Sequence, residues 1–147
     1  MSEINNDIKE QYCSFEISKM LKYIGFDVFC DGNYTEYKQT TEWNKKGISF
    51  EVGGILRGRN SLGNNNEYYE IVSAPTIAIA TQWIRANYGI HIFVDYYNEG
   101  KFFGAFINKF GTKKELFNTH DSVEQAAEDV IKVVINLIIK NDSKESN

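Results

Sequence analysis

Proline is nearly missing from this chain of 147 residues: Pro75 is the only one. With 14% aromatic residues as well, the composition is not that of a disordered chain, and irregular segments are expected mainly at the ends. Cysteine is as scarce, at Cys13 and Cys30. The opening MSEINNDIKEQ has no apolar stretch of the secretory type. Two thiols in that context predict free side chains in a reducing, cytoplasmic setting. No run approaches the roughly 20 apolar residues of a membrane-spanning helix, so no membrane partner is expected. Histidine occurs at 91 and 120 alone, and with the cysteines at 13 and 30 it shows no ligand-like spacing. GGILRGRNSLG lacks the Gly-Lys-Ser/Thr ending of a phosphate-cradling loop and precedes no helix. Neither a metal nor a cofactor is therefore expected. A surplus of positive charge is missing too: the net charge of −4 argues against a broad nucleic-acid surface. Lys101, Lys109, Lys113 and Lys114 do cluster without an acid between them, and read as a solvated loop rather than a phosphate clamp.

What is present centres on Ser73–Asn108, read as a helix running into a β-hairpin. Pro75 suits the first helical turn, where an N–H lacks an intrahelical partner, and Ser73 or Thr76 is placed to cap. Ile77, Ala80, Ile84 and Tyr88 recur at helical spacing, with Ile79, Trp83 and Ala86 widening the stripe. Gly89 is the left-handed stop, and Ile90 begins a strand. IHIFVDYY and KFFGAFIN join through Asn98-Glu99-Gly100, a type I turn closed by glycine. That register pairs Tyr96 with Phe102, Val94 with Gly104 and Ile92 with Phe106. Ile90, Ile92, Val94, Tyr96, Phe102 and Phe106 make the core face. The other face, His91, Phe93, Asp95, Phe103, Ala105 and Ile107, is too apolar for open water and is expected to be covered, by the rest of the chain or by something else.

Around this centre, residues 1–12 read as a polar segment that frays or adds a turn. Residues 13–140 read as one domain and 141–147 as a disordered tail. A helix near 14–24 is capped by Ser14, buries Phe15, Ile17, Met20, Leu21 and Ile24, stops at Gly25, and leaves Lys19 and Lys22 wet. DVFC reads as a short strand and Asp31-Gly32-Asn33 as a turn; YKQTTEW and ISFEV form a second hairpin across Asn44–Gly47. The glycine- and asparagine-rich stretch 53–66 reads as a surface insertion before the strand EYYEIV. Ser122 and Gln125 form a capping box for a helix near 122–140. Val123, Ala127, Val130, Val134 and Leu137 trace its buried face, and its second half is apolar nearly all round. Such a helix lies under the second face of the sheet or against another subunit. The expected class is α+β: three helices on an antiparallel sheet with strands near 37–43, 48–52, 67–72, 90–97 and 101–108.

Three segments, SFEISKMLKYIGFD, APTIAIATQWIRANYGIHI and HDSVEQAAEDVIKVVINLI, carry a resemblance. In this order they resemble a family of small uncharacterised proteins of phages and prophages of gut bacteria. The matching positions are Gly25 and Phe26, Ala74 to Thr76, Trp83 to Arg85, and Gln125 to Ala127. Residues 27–72 fall where such sequences vary, and the last helix has less alanine than the pattern. The resemblance implies a source and a layout, not a mechanism.

For catalysis the residues offer little. Cys13 precedes a helix whose dipole would lower its pKa, but a buried structural thiol fits both cysteines better. His91 and Asp95 share a strand face without a nucleophile nearby, so no enzyme is inferred. The functional expectation is a protein-interaction module with an unknown, host-derived partner and a capacity to form homodimers. Its candidate surface is Phe93, Phe103, Ile107, Ile135 and Ile139. The alternative is nucleic-acid binding in the manner of a winged helix, through Gln82, Arg85, Lys113 and Lys114.

Overall fold

A computed structural model of the chain describes residues 11–37, 47–53, 61–62 and 69–145. Its elements run α1 (Phe15–Tyr23), β1 (Gly32–Tyr37), β2 (Gly47–Val52), β3 (Ser61–Leu62), β4 (Tyr69–Ala74), α2 (Ile77–Tyr88), β5 (His91–Tyr96), β6 (Phe102–Ile107), β7 (Lys113–Glu115) and α3 (Val123–Glu145). The α+β class holds, and all the pairings between these strands are antiparallel. The strands divide between two sheets instead of joining in one, in the orders β2-β1-β4-β3 and β5-β6-β7. α1 packs on β4, α3 packs on β5 and β6, and the two helices meet each other. The helices thus separate the sheets, in place of the expected single pair of layers.

The most deeply buried element is α3, not the Pro75 helix. Val130, Ile131, Val134 and Ile135 are all at 0% exposure and Ile138 at 4%, whereas α2 buries only Ala80 and Ile84. This explains why α3 is apolar nearly all round: one side meets the second sheet and another meets α1 and α2. It does not lie under the outer face of the hairpin. Gly104 of β6 permits the approach, since a Cβ there would sit 2.6 Å from Val130 Cβ and 2.9 Å from the Ala126 carbonyl. Ser122 Oγ caps α3 by accepting from Gln125 N–H at 3.1 Å. The helix continues through 141–145, which the sequence reading assigned to a tail.

Local chemistry accounts for the other helix ends. Thr76, not Ser73, caps α2, its Oγ1 accepting from Ile79 N–H at 3.2 Å. Pro75 therefore lies just outside the helix, and its carbonyl accepts from Cys13 N–H at 2.8 Å. Gln11 likewise accepts from Ile77 N–H at 2.9 Å, so residues 11–13 are tied to the start of α2 and do not fray. Gly89 takes the expected left-handed conformation, with φ 70°. Ser14 Oγ accepts from Ile17 N–H at 3.3 Å at the start of α1.

Lys19 and Lys22, expected on the wet side of α1, face the first sheet. Lys22 Nζ lies 2.6 Å from Glu70 of β4, and Lys19 Nζ 2.9 Å from Glu36 of β1. Residues 27–30 form no strand, and β1 begins at Gly32, inside the predicted turn. The second hairpin does pair ISFEV, but with 32–37, joining Tyr34 to Phe50 and Tyr37 to Gly47. The predicted strand at 37–43 lies outside the described residues beyond Tyr37. So does most of 53–66, apart from Gly53 and β3.

Candidate functional site: the outer face of the second sheet

The β5–β6 hairpin adopts the predicted register, Tyr96 opposite Phe102, Val94 opposite Gly104 and Ile92 opposite Phe106. Its turn differs in kind. Glu99 and Gly100 both have positive φ, 50° and 77°, and Lys101 N–H donates to the Asn98 carbonyl at 2.8 Å. Positive φ at both central residues marks a type I′ turn, whose twist matches the flanking strands.

Period-two alternation sends Ile92, Gly104 and Phe106 inward to α3, and His91, Phe93, Asp95, Phe103, Ala105 and Ile107 outward. The unpredicted β7 widens this outer face by placing Glu115 beside Ala105 and Lys113 beside Ile107. Tertiary pairing alone made this strand, because three charged residues carry no strand pattern. This face was expected to be covered by the rest of the chain or by something else, and no described helix or strand of the chain lies across it. Phe93, Phe103 and Ile107 are half-buried there.

Two side chains engage the aromatic centre. The His91 ring stacks on Phe93 at 5.8 Å, and Lys113 Nζ sits 5.3 Å from the Phe93 centroid while pairing with Glu115 at 3.1 Å. At the far end, Tyr97, Phe103, Glu115, Leu116, Phe117 and Thr119 line a cleft of about 430 Å³. His120 anchors this end: its backbone exchanges two hydrogen bonds of 2.8 Å with Phe102, and its Nε2 lies 3.0 Å from Asp129 Oδ2 on α3.

The candidate interaction residues separate accordingly. Phe93, Phe103 and Ile107 share the outer face, whereas Ile135 is fully buried and Ile139 packs half-buried against the core. The last two are structural, because the apolar second half of α3 is consumed inside the chain. Phe117, wholly exposed, and Tyr97, 62% exposed, belong to the face and escaped the sequence reading. They sit past the strand ends, where alternation no longer signals a side.

The proposed nucleic-acid contacts do not converge. Gln82 and Arg85 are on α2, which packs beside β5, while Lys113 and Lys114 are on β7, about 10 Å away across two strand spacings. Lys113 and Lys114 also point to opposite faces of the sheet. The lysine cluster is engaged further: Lys101 pairs with Asp121, and Lys109 lies 5.2 Å from the Phe110 centroid.

No family model, curated protein or solved structure matches the chain.

The thiols sit deep in the core. Burial, reinforced by the Glu128 carboxylate, pushes Cys13 up to about 12, and burial with Asp31 nearby raises Cys30 to about 11. The helix dipole does not activate Cys13. Its Sγ lies before Ser14, the residue that caps α1, in a fully buried position. His91 and Asp95 are separated by four strand positions, about 13 Å, with Phe93 between them, and Asp95 accepts from Tyr96 N–H at 2.8 Å. They form no acid–base pair. Among the described residues no group of three His, Cys, Asp or Glu is placed to hold a metal ion. Nor does any described helix have the length and apolarity to cross a membrane.

Proposed function

We propose that the protein is an interaction module that docks a partner protein on the outer face of its second sheet. One observation carries this reading: Phe93, Phe103 and Ile107 lie together on a sheet face across which no described helix or strand packs. An antiparallel sheet with one solvated face ordinarily shows polar residues there. The resemblance to small phage and prophage proteins supports a host protein as partner. The same apolar centre also suits self-association into a homodimer.

The test compares the wild-type chain with Phe93→Lys/Ile107→Lys as baits for host cytosolic proteins, after circular dichroism shows equal folding. The expected result is a defined partner that the variant loses at least tenfold. An identical set of captured proteins for both baits would end the proposal. Light scattering across a concentration series checks the homodimer: a two-chain mass that the same substitutions reduce to one chain supports it, and one-chain mass throughout rejects it.

A further inference from the structure

We propose that the cleft at the far end of this face receives an arginine side chain of the partner protein, an assignment that rests on the interaction reading above. The cleft is lined by Tyr97 and Phe117, 62% and 101% exposed, together with Phe103 and Glu115. Exposing two large rings at one site costs hydration free energy that a ligand can recover. Among the described residues none of these three rings contacts another ring.

Aromatic faces carry negative quadrupole potential, and with a carboxylate beside them the site is complementary to a cation. The neighbouring part of the face already uses this chemistry, since Lys113 Nζ sits over Phe93. Lys113 also approaches Glu115 Oε1, but both side chains are about half exposed, so that pair holds the carboxylate weakly. Arginine fits better than lysine. Its planar guanidinium stacks on aromatic faces, sheds water more readily and meets a carboxylate with a fork of donors. Leu116 and Thr119 complete the lining, one giving apolar contact and the other a hydroxyl acceptor. An aliphatic arginine stem followed by a polar head matches that mixture.

The probe is an acetylated, amidated peptide Gly-Leu-Arg-Leu-Gly, titrated into the full chain and followed by amide chemical shifts. Saturable shifts confined to Tyr97, Phe103 and 115–119 are expected. Replacing arginine by citrulline, its neutral isostere, should weaken binding about tenfold, and Phe117→Ala and Glu115→Gln should each reduce it severalfold. Phe117 is fully exposed, so its truncation leaves the fold intact. Equal binding of the arginine and citrulline peptides, equal binding of a lysine peptide, or shifts elsewhere would overturn the assignment. If Phe93→Lys/Ile107→Lys abolishes partner capture while the peptide fails to bind, the interaction face survives and the arginine site falls. If the peptide binds here but capture is unchanged by that variant, the cleft stands without the wider docking face.

Discussion

Gly104 shows how a single residue sets the distance between layers. The sequence places it opposite Val94 as a gap in an otherwise apolar strand, and its meaning emerges only when α3 is set against it. Gly104→Ala is expected to destabilise the fold by about 1–3 kcal/mol in urea unfolding, because the new methyl meets Val130 and backbone together. Asn33 is a second case. It is 1% exposed, and among the described residues neither its side-chain oxygen nor its nitrogen has a hydrogen-bond partner. A buried amide left so costs about 1–3 kcal/mol, so Asn33→Val should raise stability by roughly 1 kcal/mol in the same measurement. The thiols give a pH signature. Both are raised in the folded chain above the ordinary value of 9.0, to about 12 and about 11, because burial favours the neutral form. Their contribution is complete below pH 9 and is lost as pH climbs toward those folded values, where the unfolded chain ionises first. Denaturant midpoints should therefore fall between pH 9 and 11. Native thiols should stay unreactive to a disulfide reagent at pH 8 and react only on unfolding.

Among the elements, α1 best separates what pattern predicts from what packing requires. Ile17 and Leu21 are buried as the spacing demands, and Ser14 and Glu16 occupy the predicted cap and first turn. The neighbouring stripe, with Ser18 buried and the lysines paired to Glu36 and Glu70, faces the first sheet, which no period-3.6 analysis of α1 reveals. The two pairs it makes differ in setting. Lys22 and Glu70 are 22% and 12% exposed and lie 2.6 Å apart, whereas Lys19 and Glu36 are wetter. Lys22→Ala should cost about 1–3 kcal/mol by removing the more buried of the two pairs, and Lys19→Ala under about 1 kcal/mol. Comparable losses at the two positions would contradict this ranking. The hairpin was the more legible element. Its alternation and its Asn-Glu-Gly turn residues specified the register, although the turn type depends on Glu99 accepting a positive φ.

For the whole molecule, the decisive fact is that α3 lies between the second sheet and the other two helices. Ile135 and Phe93, both read from sequence as surface candidates, should consequently behave in opposite ways. Ile135→Ala should cost about 2–5 kcal/mol and Ile135→Lys should prevent folding, as deletion or charge in a filled core does. Phe93→Lys should leave the folded chain with a thermal midpoint within a few degrees of the wild type. Thermal denaturation of the three variants checks the contrast. If Phe93→Lys unfolds the chain as Ile135→Lys does, the outer face is itself core.

The sequence by itself determined the three helices with two of their caps, the glycine stop of α2, the hairpin register, the α+β class and the grouping of Phe93, Phe103 and Ile107. These follow from hydrogen-bonding rules and side-chain periodicity, which act over a few residues. Only the tertiary structure decided that the strands part into two sheets, that Tyr34 pairs with Phe50 while Thr35 also faces Ile71, and that α3 rather than α2 is the centre. The same holds for the charged strand Lys113–Glu115 and for the placing of Tyr97, Glu115 and Phe117 along one cleft. The physical reason is that an apolar stripe states only that it must be buried. Which surface buries it depends on how distant segments share one limited interior, and that is a property of the assembled chain.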